Sequence, residues 1–288
     1  MQLAWSSGGF VSHDGEEQMD QRVPSMIHPL LEEYIQWFEH ELPGCMAGLY
    51  LYGSIALGAF DERFSDIDFL TLLHRRPTPT EVERLAMIHQ RLERTYPRWR
   101  LEGSYLQWDD VGRFEEEIVP FPYYHDGVLH LAGHFEVNAV TWWVLKNRGI
   151  AIVGPAAQDL HFTVDWELLL LKMRENLNSY WASWTRERSR LAHLLTDDGV
   201  QWTVLGVLRL WYTFREQGLI SKIGAGRYAL AHLPARWSPL IHEAIAIREG
   251  RQDSGYPSRA LRAVEVVRFV RYVIKVCNEE RQREAATF

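Results

Sequence analysis

Two aspartates one residue apart, Asp66 and Asp68, follow a glycine–serine turn, and this pattern constrains the fold more than any other feature. Residues 49–52 are apolar or aromatic, as in a buried strand, and Gly53 permits a sharp turn with close backbone approach. Ser54 is placed to cap a short helix, and the free N–H groups at a helix start attract phosphate. Because side chains two apart on a strand share a face, both carboxylates are brought together. They repel unless a cation holds them, so the pattern predicts Mg²⁺ together with triphosphate oxygens.

Taken alone, a glycine–serine pair is usually an ordinary turn, and an Asp-x-Asp pair is usually an exposed strand end. Together, the Gly53–Ser54 pair and the Asp66-x-Asp68 pair resemble the signature of the nucleotidyltransferase superfamily. The closer resemblance is to bacterial aminoglycoside adenylyltransferases of the streptomycin/spectinomycin type. It implies that Gly53 and Ser54 hold the phosphates of ATP, that Asp66 and Asp68 hold Mg²⁺, and that AMP passes to an antibiotic hydroxyl. Release of pyrophosphate and resistance to the antibiotic follow from that activity.

A third acid, Glu102, lies in the stretch 99–106, which predicts another strand. Its neighbours are apolar or small, and an edge-strand carboxylate facing water is the plain structural interpretation. The adenylyltransferase family carries a matching Arg-x-Leu-Glu strand, and the resemblance implies that Glu102 is the catalytic base. It also implies that Glu102 joins Asp66 and Asp68 around a metal-bound phosphate.

Composition limits the classes of partner. A chain of 288 residues with 47% apolar content can bury two cores, and a net charge of −7 without a basic block disfavours nucleic acid. The only cysteines, Cys45 and Cys277, each lie in an apolar run, which predicts buried free thiols in a cytoplasmic protein. We expect no membrane segment and a monomer whose partners are ATP and a small cationic, hydroxylated substrate.

The stretch from 125 to 134 contains three histidines that invite a metal interpretation, namely His125, His130 and His134. Their spacing matches no recognised zinc pattern and no cysteine accompanies them, so a metal there is not expected. The acidic stretch 109–117 is interpreted as a solvated face or helix start.

We expect two domains after an N-terminal tail. Residues 1–24 are polar and without periodicity, which predicts a flexible tail. Residues 25–160 mix strands with helices, and the resemblance implies an α/β nucleotidyltransferase domain with a small mixed sheet. Residues 161–288 show helical periodicity alone and predict an all-α helical-bundle domain that binds substrate and ATP. Helices are predicted at 29 to 42, 80 to 96, 138 to 148, 166 to 195 and 201 to 217, and two more are predicted to begin at 238 and at 258. Strands are predicted at 49–52, 65–70, 99–106 and 150–153.

Local signals refine three of these helices. Thr80 and Glu83 predict a capping box, and Gly218 is expected to end the helix that begins near 201. The last helix is expected to bury the apolar residues Leu261, Val264, Val267, Val270, Ile274 and Cys277.

The helical domain also resembles the family, in three blocks at 204–212, 219–223 and 233–235. By position, Arg209 and Lys222 match residues that bind ATP phosphates, and we expect Lys222 in a loop between helices. Arg248 stands where the family has a tyrosine packed on the adenine, and a guanidinium group can also stack on a base. Without the resemblance, Lys222 would be interpreted as an exposed loop lysine and Arg209 as an ion-pair partner.

Acceptor recognition is less determined. Asp197 and Asp198 precede the Arg209 helix and are candidates to bind the ammonium groups of an antibiotic. Streptomycin-modifying members place a Trp five residues before such an Asp, where this chain has Ala192 and His193. Spectinomycin or another aminocyclitol is therefore favoured over streptomycin as a substrate.

Two alternatives to antibiotic modification remain. An adenylyltransferase could act on a protein side chain or on a metabolite hydroxyl, because phosphate-binding motifs do not identify the acceptor. A catalytically silent nucleotide-binding module would be indicated by loss of a carboxylate, and Asp66, Asp68 and Glu102 are all present.

Overall fold

The structure, a computed structural model, describes residues 19–251 and 254–285, with only the backbone described from 280 onwards. The chain divides into two compact units, Met1–Val164 and Asp165–Phe288, so the division falls four residues after the predicted boundary at 160. Most of the predicted tail lies outside the described residues. Its last part, 19–24, is not a tail, because Val23 is buried in the core and Arg22 donates a 2.7 Å hydrogen bond to the carbonyl of Arg148.

The first unit is built on a mixed sheet that has six strands in the described part of the chain, in the order β5-β4-β3-β2-β1-β6. Strands β2 and β3 are parallel and the other four pairings are antiparallel. The elements are α1 His28–Glu41, β1 Met46–Leu51, α2 Gly53–Ala56, β2 Ile67–Leu73, α3 Pro79–Thr95, β3 Leu101–Gln107, β4 Phe121–His125, β5 Val128–Gly133, α4 Ala139–Arg148 and β6 Ile150–Val153.

Helices α1 and α3 supply much of the core of this unit. Apolar residues recur along both helices at helical spacing and are buried; they are Leu30, Leu31, Tyr34, Phe38, Val82, Leu85, Ile88 and Leu92. The predicted capping box of α3 is wrong by two residues. Thr78 accepts from the Glu81 N–H, and the Glu81 carboxylate accepts from the Thr78 N–H, because Pro79 occupies the first helical position.

The β4–β5 hairpin was not predicted. Its turn is Asp126-Gly127, with φ of 49° and 73°, and Asp-Gly is a strong signal for a two-residue hairpin. The flanking strands hide that signal, because β4 contains a proline and β5 is largely exposed and therefore lacks a regular apolar alternation.

The second unit is helical, as predicted. Its elements are α5 Trp166–Asn176, a π-helical turn Leu177–Trp181, α6 Arg188–His193, α7 Asp197–Glu216, α8 Lys222–His232, α9 Ser238–Arg248 and α10 Arg259–Ala285. The predicted helical stretch 166–195 contains α5 and α6, separated by the π turn and an irregular segment. At the end of α7 the left-handed residue is Gln217, with φ of 50°, rather than the predicted Gly218. Within the described ranges, no helix is long and apolar enough to cross a membrane.

The buried face of α10 differs from the prediction. Leu261 and Val264 are 56% and 47% exposed, whereas Val266, Phe269, Val270, Val273 and Cys277 are buried. The buried Arg262 explains the rotation, because its guanidinium is 3% exposed and binds Glu243 at 2.8 Å and Asp197 at 2.6 Å. Turning Leu261 and Val264 inward would pull this charge away from both carboxylates.

Removal of Glu243 tests this buried ion pair. Glu243→Ala leaves the Arg262 charge with only the half-exposed Asp197, and breaking a buried pair costs about 3–5 kcal/mol. The matched control is Arg227→Ala, which breaks an exposed ion pair with Glu249 and costs at most about 1 kcal/mol. Urea denaturation of both variants measures the difference, and equal costs would show that the Arg262 cluster does not stabilise the unit.

Candidate active site

The parallel pairing of β2 with β3 brings the predicted carboxylates together. Asp68 and Glu102 are direct register partners on the two strands, and Asp66 lies two residues before Asp68, immediately outside β2. On parallel neighbours, register partners point to the same face of the sheet. Asp66 and Glu102 each raise the pKa of Asp68 by their negative charge, so the three acids form one electrostatic cluster.

The turn after β1 is fitted to Asp68. Gly53 has φ of 59°, and a Cβ placed on it would lie 1.7 Å from the Asp68 Oδ2 atom, so both conformation and space require glycine. The backbone N–H of Ser54 donates to the same oxygen at 3.4 Å, and the N–H of Tyr52 donates to the Asp68 carbonyl at 3.1 Å. The turn and the acid are therefore in direct contact.

Ser54 does not cap the short helix as predicted. Helix α2 begins at Gly53, the capping position is Tyr52, and no side chain caps the helix. The Ser54 hydroxyl is buried and has no hydrogen-bond partner among the described residues. A buried hydroxyl without a partner is costly in a structural role, and it suits a site that receives a polar ligand.

Asp68 carries the strongest electrostatic signal in the site. Burial, together with the negative charges of Glu136 and Asp66, raises the pKa of its carboxyl from the ordinary 3.8 to about 8. The N–H of Ser54 opposes the shift only in part. A carboxyl group so disfavoured as an anion is poised either to hold a proton or to bind a cation.

Glu136 is a fourth acid of the cluster, and sequence analysis did not identify it. It lies between β5 and α4 in the left-handed conformation, with φ of 61°, and accepts a 3.2 Å hydrogen bond from the Thr141 hydroxyl. A non-glycine residue in that conformation is uncommon and often marks a functional segment. Neither motif nor periodicity signals it, because its neighbours in the cluster come from β2 and β3.

Glu102 is partly buried and faces the β4–β5 hairpin. Burial and the Asp66 charge raise the pKa of its carboxyl, while His125 opposes this shift. The His125 Nδ1 atom lies 3.1 Å from Glu102 Oε2, and its Nε2 atom lies 3.4 Å from Asp126 Oδ2. The other two histidines of this region do not join them, since His130 stacks on Tyr123 and His134 contacts the Ile118 carbonyl.

The donor set fits a hard divalent cation. Carboxylate oxygens are the ligands that Mg²⁺ prefers, and Asp68 and Glu102 present them on one face of the sheet. Asp66 is close enough that its charge raises the pKa of both. The raised pKa of Asp68 indicates a negative field that a cation would relieve. These residues are therefore able to hold Mg²⁺.

The predicted cationic residues of the helical unit lie on three helices. Arg209 lies within α7, and its Nε donates to the Ile220 carbonyl at 3.0 Å. Lys222 is the first residue of α8 rather than part of a loop, because Ser221 caps that helix, and its Nζ lies 4.1 Å from the centre of the Trp202 ring. Arg248 is the last residue of α9.

The two predicted substrate acids have different surroundings. Asp197 and Asp198 do not precede α7 but form its first turn, because Thr196 is its cap. Asp197 is engaged by the buried Arg262 at 2.6 Å, which gives it a structural role. Asp198 is 68% exposed and pairs with His193 at 3.1 Å, so it is the better candidate for binding a cationic ligand.

Neutralisation of Asp68 tests the electrostatic cluster. As pH rises from about 4 to 8, the unfolded chain loses the Asp68 proton while the folded protein retains it, so stability falls over this window. Without divalent cations, Asp68→Asn should reduce that fall and raise Tm at pH 8 by several degrees, at about 2–4 °C per kcal/mol. Thermal unfolding at pH 5 and pH 8 in EDTA measures this. The exposed Asp109→Asn is the control, and equal pH dependence in wild type and Asp68→Asn would contradict the assignment.

Two family models match the chain. Residues 31–123 match the model described as nucleotidyltransferase domain, and residues 176–276 match the model described as aminoglycoside adenylyltransferase, C-terminal domain. The chain is similar to an aminoglycoside (3'')(9) adenylyltransferase from Escherichia coli, 26% identical over 88% of this chain and 97% of the relative. It is also similar to one from Klebsiella pneumoniae, 27% identical over 88% of this chain and 96% of the relative.

One solved structure extends this similarity to the fold. A spectinomycin adenyltransferase from Enterococcus faecialis, solved with ATP and spectinomycin, matches with a TM-score of 0.62. The match covers 85% of this chain and 99% of that chain, at 12% identity. An α/β unit followed by a helical unit is thus the architecture of both proteins.

Proposed function

We propose that this chain transfers AMP from ATP to a hydroxyl of an aminocyclitol or aminoglycoside antibiotic, because it belongs to the aminoglycoside adenylyltransferase family of nucleotidyltransferases. The resemblance seen in the sequence motifs is confirmed, and so is the fold class. Pyrophosphate is the second product, and resistance to the antibiotic is the expected consequence.

The observation that carries the proposal is the register of β2 and β3, which pairs Asp68 with Glu102 beside the Gly53 turn. Phosphoryl transfer needs acids to hold the metal and a carboxylate to take a proton, close to a backbone turn that admits phosphate. A silent nucleotide-binding module gives no reason to retain several repelling acids on one face. The enzymatic function is therefore favoured over that alternative.

Asp66 and Asp68 would hold Mg²⁺, with Glu102 as the third candidate ligand, and the bound ion would neutralise charge on the triphosphate. In the proposed complex the Ser54 hydroxyl, which has no partner among the described residues, would donate to a phosphate oxygen beside the Gly53 turn. Arg209, Lys222 and Arg248 keep their proposed roles as contacts for ATP.

Glu102 acts as general base in this mechanism. It accepts the proton of the acceptor hydroxyl while the hydroxyl oxygen forms a bond to the α-phosphorus of ATP. The bond between the α-phosphorus and the oxygen that bridges to the β-phosphate breaks, and pyrophosphate leaves. Burial raises the pKa of the Glu102 carboxyl, which makes it a stronger base than an exposed glutamate. Precise alignment of the two reacting groups supplies much of the remaining acceleration.

Replacement of the base separates catalysis from ATP binding. Glu102→Gln keeps the shape and removes proton acceptance, so the rate of AMP transfer should fall about 10²–10⁴-fold. Calorimetric affinity for ATP with Mg²⁺ should stay near that of wild type. Turnover close to wild type would place the base elsewhere, and loss of ATP binding would make Glu102 a metal ligand first. Asp68→Asn is the companion variant and should abolish transfer.

An acceptor panel tests the substrate class. With ATP labelled at the α-phosphate, label should appear on spectinomycin faster than on streptomycin, because Ala192 and His193 stand where streptomycin-modifying members carry tryptophan. Asp198→Asn should weaken the apparent affinity for the cationic acceptor. Comparable rates on both drugs would contradict the preference. Label on protein instead of drug would support the alternative in which a side chain is the acceptor.

A further inference from the structure

His125 is placed by the sheet directly beside Glu102. Strand β4 runs antiparallel to β3 with Tyr124 opposite Gly103, so the next residue of β4 falls next to the residue before Gly103. The His125 Nδ1 atom is 3.1 Å from Glu102 Oε2. This contact crosses two strands and follows from backbone pairing rather than from a flexible loop.

The ring of His125 is held on two further sides. Its Nε2 atom lies 3.4 Å from Asp126 Oδ2 in the hairpin turn, where Asp126 and Gly127 both have left-handed backbone conformations. The ring of Phe135 packs against it with 4.7 Å between centres, and Phe135 also stacks on Tyr123 at 5.1 Å. The imidazole is therefore part of a packed aromatic group.

A metal site is the competing interpretation of these residues. One ligand atom each from Glu102, His125 and Asp126 lie within 4.8 Å of one another. The two carboxylates, however, face opposite nitrogens of the same ring. An ion coordinated by one nitrogen cannot explain the carboxylate at the other, whereas an imidazole that spaces two carboxylates explains both contacts.

We infer that His125 is a positioning residue that holds the Glu102 carboxylate, with Asp126 fixing the ring through its second nitrogen. The inference rests on the proposed function, in which Glu102 takes the proton of the acceptor. Holding Oε2 leaves the other oxygen of Glu102 to accept that proton. The Nδ1 contact is at ion-pair distance without hydrogen-bond angles, and such contacts commonly tighten when substrate binds.

Replacement of His125 by three residues tests which nitrogen matters. The amide nitrogen of asparagine occupies nearly the place of Nδ1, whereas that of glutamine reaches the place of Nε2. His125→Ala should lower kcat about 10–100-fold with KM for ATP within about twofold of wild type, as expected when support of a functional group is lost. His125→Asn should recover most of kcat, and His125→Gln should not.

The matched control is His130→Ala, which removes a histidine of the same hairpin that stacks on Tyr123, and it should keep the kcat of wild type. Wild-type kcat in His125→Ala would overturn the inference. Equal losses in the Ala, Asn and Gln variants would also overturn it, because they would indicate packing rather than a contact at Nδ1.

A readout without catalysis keeps the inference separate from the proposed function. In ¹⁵N NMR spectra of the full chain without ligands, Glu102→Gln should shift the Nδ1 resonance of His125 and leave that of His130 in place. An unchanged His125 resonance would overturn the inference even if the enzyme is active. A shifted resonance in a protein that adenylylates no acceptor would support the contact and reject the proposed function.

Discussion

The parallel pairing of β2 with β3 is the constraint on which the rest of the site depends. It places Asp68 opposite Glu102, and like charges that close are unfavourable in a partly buried environment. The sheet imposes this proximity because the register is fixed by the apolar residues of both strands, which would lose their buried positions if it slipped by one residue. The hydrophobic core thus keeps the acids close together despite their mutual repulsion.

The opposite face of the same two strands shows how that register is held. Thr71 and Tyr105 are also register partners, and they point away from the acids. The Tyr34 hydroxyl of α1 bonds Thr71 at 2.7 Å, and the His89 ring of α3 bonds Tyr105 at 2.7 Å. Buried hydrogen bonds of this kind specify a single arrangement, because a shifted strand would leave them unpaired. One face of the sheet therefore fixes the fold and the other carries the chemistry.

In the helical unit, acidic side chains surround a buried positive charge, whereas on the sheet they lie beside one another. Arg262, Glu243 and Asp197 form a cluster around a buried guanidinium, which fixes the rotation of α10. Asp197, which the sequence suggested as a substrate contact, therefore pairs with Arg262 instead. Its neighbour Asp198 remains exposed. Adjacent identical residues acquire separate roles because successive positions on a helix point in directions about 100° apart.

The sequence by itself determined the features that are local in the chain. Gly53, Ser54, Asp66, Asp68 and Glu102 are marked by short motifs, and the inward residues of α1 and α3 by helical periodicity. Local signals also indicated the switch from an α/β unit to a helical one. They misplaced the cap of α3 and the end of α7, where neighbouring residues offer equivalent propensities.

Only the tertiary structure decided which distant residues meet. Glu136 joins the acid cluster from the segment between β5 and α4, where its own backbone is left-handed. His125 lies beside Glu102 because β4 pairs with β3. Arg262 decided which apolar face of α10 is buried, because a buried charge must keep its partners. Motifs and periodicity report interactions within a few residues, whereas these contacts depend on strand register and on the compensation of buried charge, which the whole fold sets.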